Sequence, residues 1–532
     1  MKMLLTSVFA PFGVDDEYSR KNSKIELFHN QVTVEQGVFS YRFHHSSFGL
    51  DFLACNIKVP TTVLDFPSRR RFARELAKGY DYVGISFIIP NFKKAQKMAE
   101  MVRKLSPNAK IILGGHGTNI PDIETLVEHD YICRGEGIRF LRDLFGEDVQ
   151  APVKHPLLHS SYNRQMMGVR IPNGSGVLVP GVGCQNRCRF CATSHFFQDY
   201  IPFMKTGKEI FDLCCEYEDK MGVSDFGILD ENFLKMPERA LELIECMEKN
   251  ERYFTFGIFS SAETLVKLQN LDILVRLGIN FVWMGIETQC GAYEKNKDID
   301  FLPLIQELQN RGIAVMGSLI LFEEHHNFEN VHEEIDYIID LKPDYIQFMG
   351  LGPIPGTKLY TDYKERGALI DEIPYEDQHG QDQIWFRHPN FSGKETRRIL
   401  KQAYKRDYVA NGACFLRSIR TNLKGYFYTA KHSDPKIRVR SRFFGEFAAK
   451  TKPFLLTAQI LSQNAATFGL ARELRQTYPK AAEGKSRFMS AAKSTVVLAC
   501  AIKEKIKRRI LGDARQPPTR INYYSGGELE SI

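Results

Sequence analysis

The sequence predicts an α/β protein in three parts: a doubly wound parallel sheet, then an incomplete (β/α)6 barrel, then a mostly helical, basic region. Three observations carry this. Short apolar runs alternate with helical segments twice over, with a Pro-, Gly- and Asn-rich break between the two rounds. Glycines cluster where the first set of strand-like runs ends. The alternation stops near residue 390, and the charge balance changes there. Between Gly393 and Arg520 there are 29 Lys and Arg against 8 Asp and Glu, so the rest of the chain is acidic although the whole carries +7.

The first part spans 1–150. Residues 2–9 (KMLLTSVF) read as a buried strand, 10–45 as a long irregular stretch, and SFGLDFLACNI as a helix. TTVLDF (61–66), YVGISFI (82–88), AKIILGG (109–115) and YICRGEG (131–137) read as further strands, with helices at 68–78 and 91–106. Near-continuous apolar runs such as YVGISFI belong to parallel strands covered on both faces. Ligands of such sheets bind beyond the carboxyl ends of the strands, where glycine lets the backbone approach closely. A linker is expected at 151–175.

The second part spans 176–390. Strands are expected at 176–181, 225–230, 254–260, 281–287, 314–322 and 344–350, and helices at 236–249, 262–277 and 328–341. Six strand–helix units make an incomplete barrel, whose chemistry sits at the carboxyl ends of its strands.

The third part, 391–514, is expected to be helical and basic, and 515–532 to be a disordered tail. The stretch SAAKSTVVLACAIKEKIKRRIL (490–511) sets apolar residues beside Lys503, Lys505, Lys507, Arg508 and Arg509. It is too short and too charged to span a bilayer, but a basic amphipathic helix can lie on an anionic membrane surface. KTKPFLLTAQILSQNAATFGLA (450–471) is a second apolar stretch with a basic flank. The plain alternative for both is a helical cap packed on the barrel.

MKMLLTSVFAPFG is too short and too lightly basic for a signal peptide, and no run approaches the ~18 apolar residues of a membrane span. The 11 cysteines are irregularly spaced in a large chain, which argues against a disulfide scaffold and for metal ligands. A cytoplasmic location follows as the expectation, with peripheral membrane contact through the basic region.

Three of those cysteines fall within GVGCQNRCRFCATSHFF, at Cys184, Cys188 and Cys191, directly after the first barrel strand. Three close thiolates can hold three irons of a cubane cluster and leave the fourth open, the mark of a catalytic metal site. A zinc knuckle with His195 as fourth ligand is the competing reading, but zinc usually takes two separated pairs.

CxxxCxxC with an aromatic, Phe190, before the last cysteine resembles the radical S-adenosylmethionine (SAM) superfamily. The resemblance implies a [4Fe–4S] cluster on Cys184, Cys188 and Cys191, SAM chelated to the open iron, and reductive cleavage of SAM to a 5′-deoxyadenosyl radical. It also implies a partial (β/α)6 barrel and an external electron donor such as flavodoxin or ferredoxin. GILDENF (227–233) resembles the second-strand segment of these barrels, which makes Asp230, Glu231 and Asn232 candidates to face SAM. MGIET (284–288) resembles the fourth-strand Gly-Ile-Glu segment and places Glu287 near the SAM pocket. GPIPGTKLY (352–360) resembles the segment that ends the sixth strand in one large subset.

Residues 45–145 resemble the cobalamin-binding domain that often precedes this barrel, which implies a corrin near Ser86, Gly114, Gly115 and Gly135. One departure stands out. The loop APFGVDDEYS lacks the Asp-x-His-x-x-Gly histidine that ligates cobalt in many cobalamin domains, and His44, His45 and His116 lie in other contexts. With cobalamin, the resemblance implies methylation of an unactivated carbon, and the basic region points to a hydrophobic or lipid substrate. Without it, the same barrel implies radical cyclisation, coupling or oxidation. An RNA-modifying enzyme of the superfamily would carry three N-terminal cysteines, but only Cys55 and Cys133 are present, and no RNA-binding motif is found. A non-enzymatic cobalamin or redox sensor would not need the complete cysteine loop.

Overall fold

The computed structural model describes residues 1–9, 32–44, 46–159, 162–171, 175–289, 293, 296–478, 487–511 and 518–530. The loop APFGVDDEYS and His45 fall outside them.

Five parallel strands open the chain: Met3–Thr6, Thr61–Asp65, Tyr82–Ser86, Lys110–Gly114 and Tyr131–Ile132. In space the second strand lies outside the first and the others follow in order. That is one of the doubly wound orders, with its reversal at the first strand. Alternate residues feed two cores. Leu4, Val83 and Leu113 pack with Phe72 and Met98 on one face. Met3, Leu5 and Ile112 pack with Leu50 and Leu141 on the other. Both faces are covered, so the strands are apolar throughout. The last strand is shorter than the run YICRGEG, because its pairing ends at Ile132.

The expected disordered tail is instead part of this sheet. Arg520–Ser525 pairs antiparallel with Thr61–Asp65, and Glu528–Leu529 folds back on it. The reason is Asp51, fully buried on the helix Phe48–Cys55. Its carboxylate accepts from Arg520 at 2.5 Å, from Asn522 Nδ2 at 2.9 Å and from Tyr524 Oη at 2.8 Å. A buried carboxylate needs such donors, and here only the chain's far end supplies them.

The segment 151–175 is not a bare linker. Its described part forms the hairpin Tyr162–Met166 and Val169–Arg170, which pairs with Arg42–His44. Met166 and Met167 then enter the core of the C-terminal helices, against Leu416 and Val497.

A six-stranded, all-parallel sheet follows: Gly176–Leu178, Asp225–Ile228, Thr255–Phe259, Ile279–Glu287, Ala314–Leu321 and Tyr345–Gly350. The strands lie in chain order. Helices Gly207–Met221, Pro237–Asn250, Phe301–Asn310 and Asn330–Asp340 pack on its outer side. The helix expected over 262–277 is broken into Ala262–Val266 and Asp272–Leu277.

From Gly393 to Leu511 the described residues are mostly helical and have a core of their own around Leu416, Ile419, Leu455 and Leu470. Several of its cations are buried rather than surface charge. Arg417 holds Asp407 through two bonds of 2.8 and 2.7 Å, both side chains inaccessible. Arg440 donates to the Phe254 carbonyl at 2.7 Å and to the Arg276 carbonyl, tying the helices to the six-stranded sheet. Among the described residues, no helix is long and apolar enough to cross a membrane.

Candidate active site

The cysteine loop leaves the first strand of the six-stranded sheet through Gly181–Val182, and its return, Ile201–Pro202, pairs antiparallel with that exit. The base is closed tightly. Gly183 has φ +86°, and a Cβ there would lie 2.0 Å from the Asp199 carbonyl oxygen, so only glycine fits. The Cys191 N–H donates to the Cys188 carbonyl at 3.0 Å, and the helix Ala192–Phe197 starts immediately after. The Cys191 carbonyl accepts from Ser194 Oγ at 3.3 Å and from His195 Nδ1 at 2.9 Å. This fixes the backbone that carries the thiols.

None of the three cysteines is in a disulfide, and all are half-buried. Burial raises the Cys184 thiol pKa and the Asn186 N–H lowers it. Cys191, Glu231 and Cys188 each raise it further. Three thiols and a carboxylate that repel one another when ionised form a donor set suited to a cationic group.

Glu231 is exposed and lies three residues beyond the strand Asp225–Ile228. Enclosure and then the charge of Asp230 raise its pKa, while the Thr193 hydroxyl, on the cysteine-loop helix, lowers it. Asp230 departs from its expected role. Its carboxylate is held by Arg239 at 2.8 Å and Tyr200 Oη at 2.7 Å, with the Asn232 N–H at 3.1 Å. Asp230 and Arg239 are both inaccessible. Asp230 therefore positions the strand end and the Tyr200 side of the loop rather than offering a ligand atom. Asn232 is likewise spent, donating to Ser261 Oγ and Thr264 Oγ1 at 3.2 and 3.3 Å.

Glu287 ends the fourth strand, is 6% exposed, and has φ +66°. A non-glycine residue in that region costs about 1–3 kcal/mol, a strain found at functional sites. Its charge reaches Tyr293 and Glu323. The Tyr293 ring packs 5.2 Å from Phe190, the aromatic of the cysteine motif. His325, His326 and Glu334 gather beside Glu323 within 4.8 Å of one another. However, His326 Nδ1 accepts the Glu323 N–H at 3.0 Å, which leaves its proton on Nε2 and unfits it as a metal ligand there.

The five-stranded sheet turns its carboxyl ends to the same loop. Ser86 and Gly114 are paired neighbours at the strand ends. Gly115 has φ +84°, and a Cβ would lie 2.6 Å from the Phe87 carbonyl. Gly114 has open space where a Cβ would be, and Gly135 meets nothing nearer than the Phe196 carbonyl at 3.6 Å. His116 lies with its ring 4.4 Å from Phe196 and 6.2 Å from Phe197. Burial pushes its pKa down to about 4, so it is neutral. Its buried Nδ1 has no hydrogen-bond partner among the described residues. The Pro-Gly segment joins both sides. Gly356 lies against Asn119, Leu359 N donates to the Arg189 carbonyl at 3.0 Å, and Arg189 pairs with Asp362 at 2.9 Å.

No family model matches the chain. It is 23% identical over 324 residues to bacteriochlorophyllide d C-8(2)-methyltransferase of Chlorobaculum tepidum, spanning 55% of this chain and 70% of that one. It is 23% identical over 343 residues to anaerobic magnesium-protoporphyrin IX monomethyl ester cyclase of Rubrivivax gelatinosus, where it spans 56% of this chain and only 60% of the relative. An uncharacterised methyltransferase of Pyrococcus horikoshii is 23% identical over 366 residues, 62% of this chain and 79% of that one. Among solved structures, the radical SAM methyltransferase TsrM of Kitasatospora setae, with cobalamin and a [4Fe–4S] cluster bound, superposes with a TM-score of 0.53 at 15% identity. The match covers 84% of this chain and 99% of TsrM. The three-cysteine loop sits at the end of the first strand of this shared fold. The chain thus shares its fold with a radical SAM methyltransferase that binds cobalamin and a [4Fe–4S] cluster.

Sequence reasoning singled out the three cysteines and the acids Asp230, Glu231 and Glu287. It missed Arg239, Tyr200 and Thr193, which organise them, because nothing local marks a buried partner. It passed over His116, Phe196 and Phe197 as well. The signal for these was the Phe-Phe pair following the cysteine motif and the histidine directly after Gly114 and Gly115.

Proposed function

We propose that the enzyme methylates an unactivated carbon of a hydrophobic substrate, using a [4Fe–4S] cluster, SAM and cobalamin. In this reading the six-stranded sheet is a partial (β/α)6 barrel and the five-stranded sheet a cobalamin-type domain. Cys184, Cys188 and Cys191 would hold the cluster, and the donor set fits it: three thiols outside any disulfide and no fourth cysteine on the loop, which would leave one iron for SAM. Once bound, the cluster supplies the electron that cleaves SAM to a 5′-deoxyadenosyl radical, and cobalamin supplies the methyl group.

The chain's own residues do the positioning. Glu231 and Glu287 wall the SAM side with negative charge, suited to the sulfonium and amino groups of SAM. Asp230 and Arg239 hold the strand end against the loop. Ser86, Gly114, Gly115 and Gly135 form the corrin seat, and open space at Gly114 fits a broad planar guest. His116, Phe196 and Phe197 line the boundary between the two cofactors and keep it apolar, which excludes water.

The observation that carries this reading is that both sheets turn their ligand-binding ends to one cysteine loop. It is tested by anaerobic reconstitution with iron, sulfide and hydroxocobalamin, then desalting, a cobalt assay and SAM labelled in its methyl group. Stoichiometric cobalt with transfer of label to a hydrophobic acceptor is the expected result. SAM cleavage without cobalt or label transfer sinks the methylation reading and leaves hydrogen abstraction followed by cyclisation or oxidation.

A further inference from the structure

Among the described residues, the long helix Arg487–Leu511 is seated on one side. Val497 and Ala501 are buried, and Arg508 donates to the Gly37 carbonyl. A Cβ on Gly168 would lie 2.5 Å from the Cys500 carbonyl and 2.9 Å from Glu504 Cβ, so the helix rests directly on that turn. At about 100° per residue, these contacts fix which face looks outward. That face carries Val496, Ile502, Ile506 and Ile510, exposed at 60%, 43%, 55% and 74%. Their spacing puts them on one stripe. Lys503 and Lys507 flank the three isoleucines on one side, Lys505 and Arg509 on the other, and all four are exposed. The helix's single acid, Glu504, is on the seated side.

We infer that this face is a docking surface for an anionic phospholipid bilayer, on which the helix lies flat. A merely solvated basic face would not carry three exposed isoleucines in register. Nucleic acid would use the cations but not the isoleucine stripe. A second copy of the chain would set like charges against each other across a two-fold interface. An anionic bilayer takes both parts: isoleucines at the acyl boundary, lysines and arginine among the phosphates. The helix cannot span, so the contact is peripheral.

The test is flotation of the full-length, cluster-loaded enzyme with vesicles of phosphatidylcholine alone or with roughly one third phosphatidylglycerol. Retention is expected on the anionic vesicles only, and salt should weaken it. The variant Ile502→Ser/Ile506→Ser/Ile510→Ser should lower retention by about tenfold or more, and Lys503→Gln/Lys507→Gln/Arg509→Gln should do the same. All six positions are exposed, so 5′-deoxyadenosine formation from SAM should be unchanged, which separates this inference from the catalytic one. Failure of the wild type to float, equal flotation of the serine variant, or retention on polyuridylate in place of vesicles would each overturn it.

Discussion

The two parallel sheets face the same cysteine loop but bring opposite chemistry to it. The five-stranded sheet ends in Ser86, Gly114, Gly115 and Gly135, with a histidine that burial keeps neutral. The six-stranded sheet ends in Glu231, Glu287 and Glu323, the first of which acts on the Cys184 thiol. The first end is shaped by missing side chains and suits a large guest held by backbone and surface area. The second is shaped by repelling anions and suits a cationic guest. In the proposed function the two sheet ends would divide the labour around one loop, one recognising shape and the other charge.

Removing a thiol should separate the two ends most sharply. Cys191→Ala should abolish both the cluster absorbance and 5′-deoxyadenosine formation while leaving cobalt uptake in place. Retained cluster and cleavage would refute the ligand assignment. Next is Gly114→Leu, which fills open space without meeting another atom within 4 Å at its Cβ. Cobalt loading should fall by about tenfold or more with the iron content unchanged; equal loss of both would mean the two ends do not act separately.

Within the charged end, Asp230 and Glu231 should differ. Asp230→Ala leaves Arg239 buried without its partner and should cost about 3–5 kcal/mol in denaturant unfolding. Glu231→Gln should weaken SAM binding, read by calorimetry, without that loss. In the cluster-free protein, Glu231→Gln should even add stability as pH rises above the ordinary carboxylate range. The wild-type carboxyl, whose pKa is raised on folding, favours the folded state only while protonated.

The smallest effect lies at the neutral end. The His116 pKa is pushed down to about 4 from 6.5, so the unfolded chain binds more protons between those values. The wild type should lose stability as pH falls through that window. His116→Gln should flatten the loss, and an unchanged pH profile would show that the imidazole is not buried in solution.

Much of this architecture is legible in the residues alone. The six strand segments read between 176 and 350 are strands, because apolar runs bounded by glycine and charge leave few alternatives. Glu231 and Glu287 are legible because each ends such a run. Asp230 is legible as a strand-end acid but not in its role, since its partner Arg239 lies on the next helix and carries no mark of its own. The tail is easily misread because RINYYSGGEL looks like a polar, glycine-rich end when Asp51, more than 460 residues earlier, is out of view.

The residues in their order suffice for the periodic elements, the three-cysteine spacing and the basic character of the last third. These are local properties: hydrophobic period, ligand spacing and charge count need no knowledge of what folds against them. It took the folded arrangement to bring the two sheets to one loop, to spend Asp230 on Arg239, to complete the first sheet with the tail, and to leave one face of the last long helix to solvent. Each of these depends on a buried polar group finding a partner far along the chain, or on which side of an element is covered. Neither is written in the residues next door.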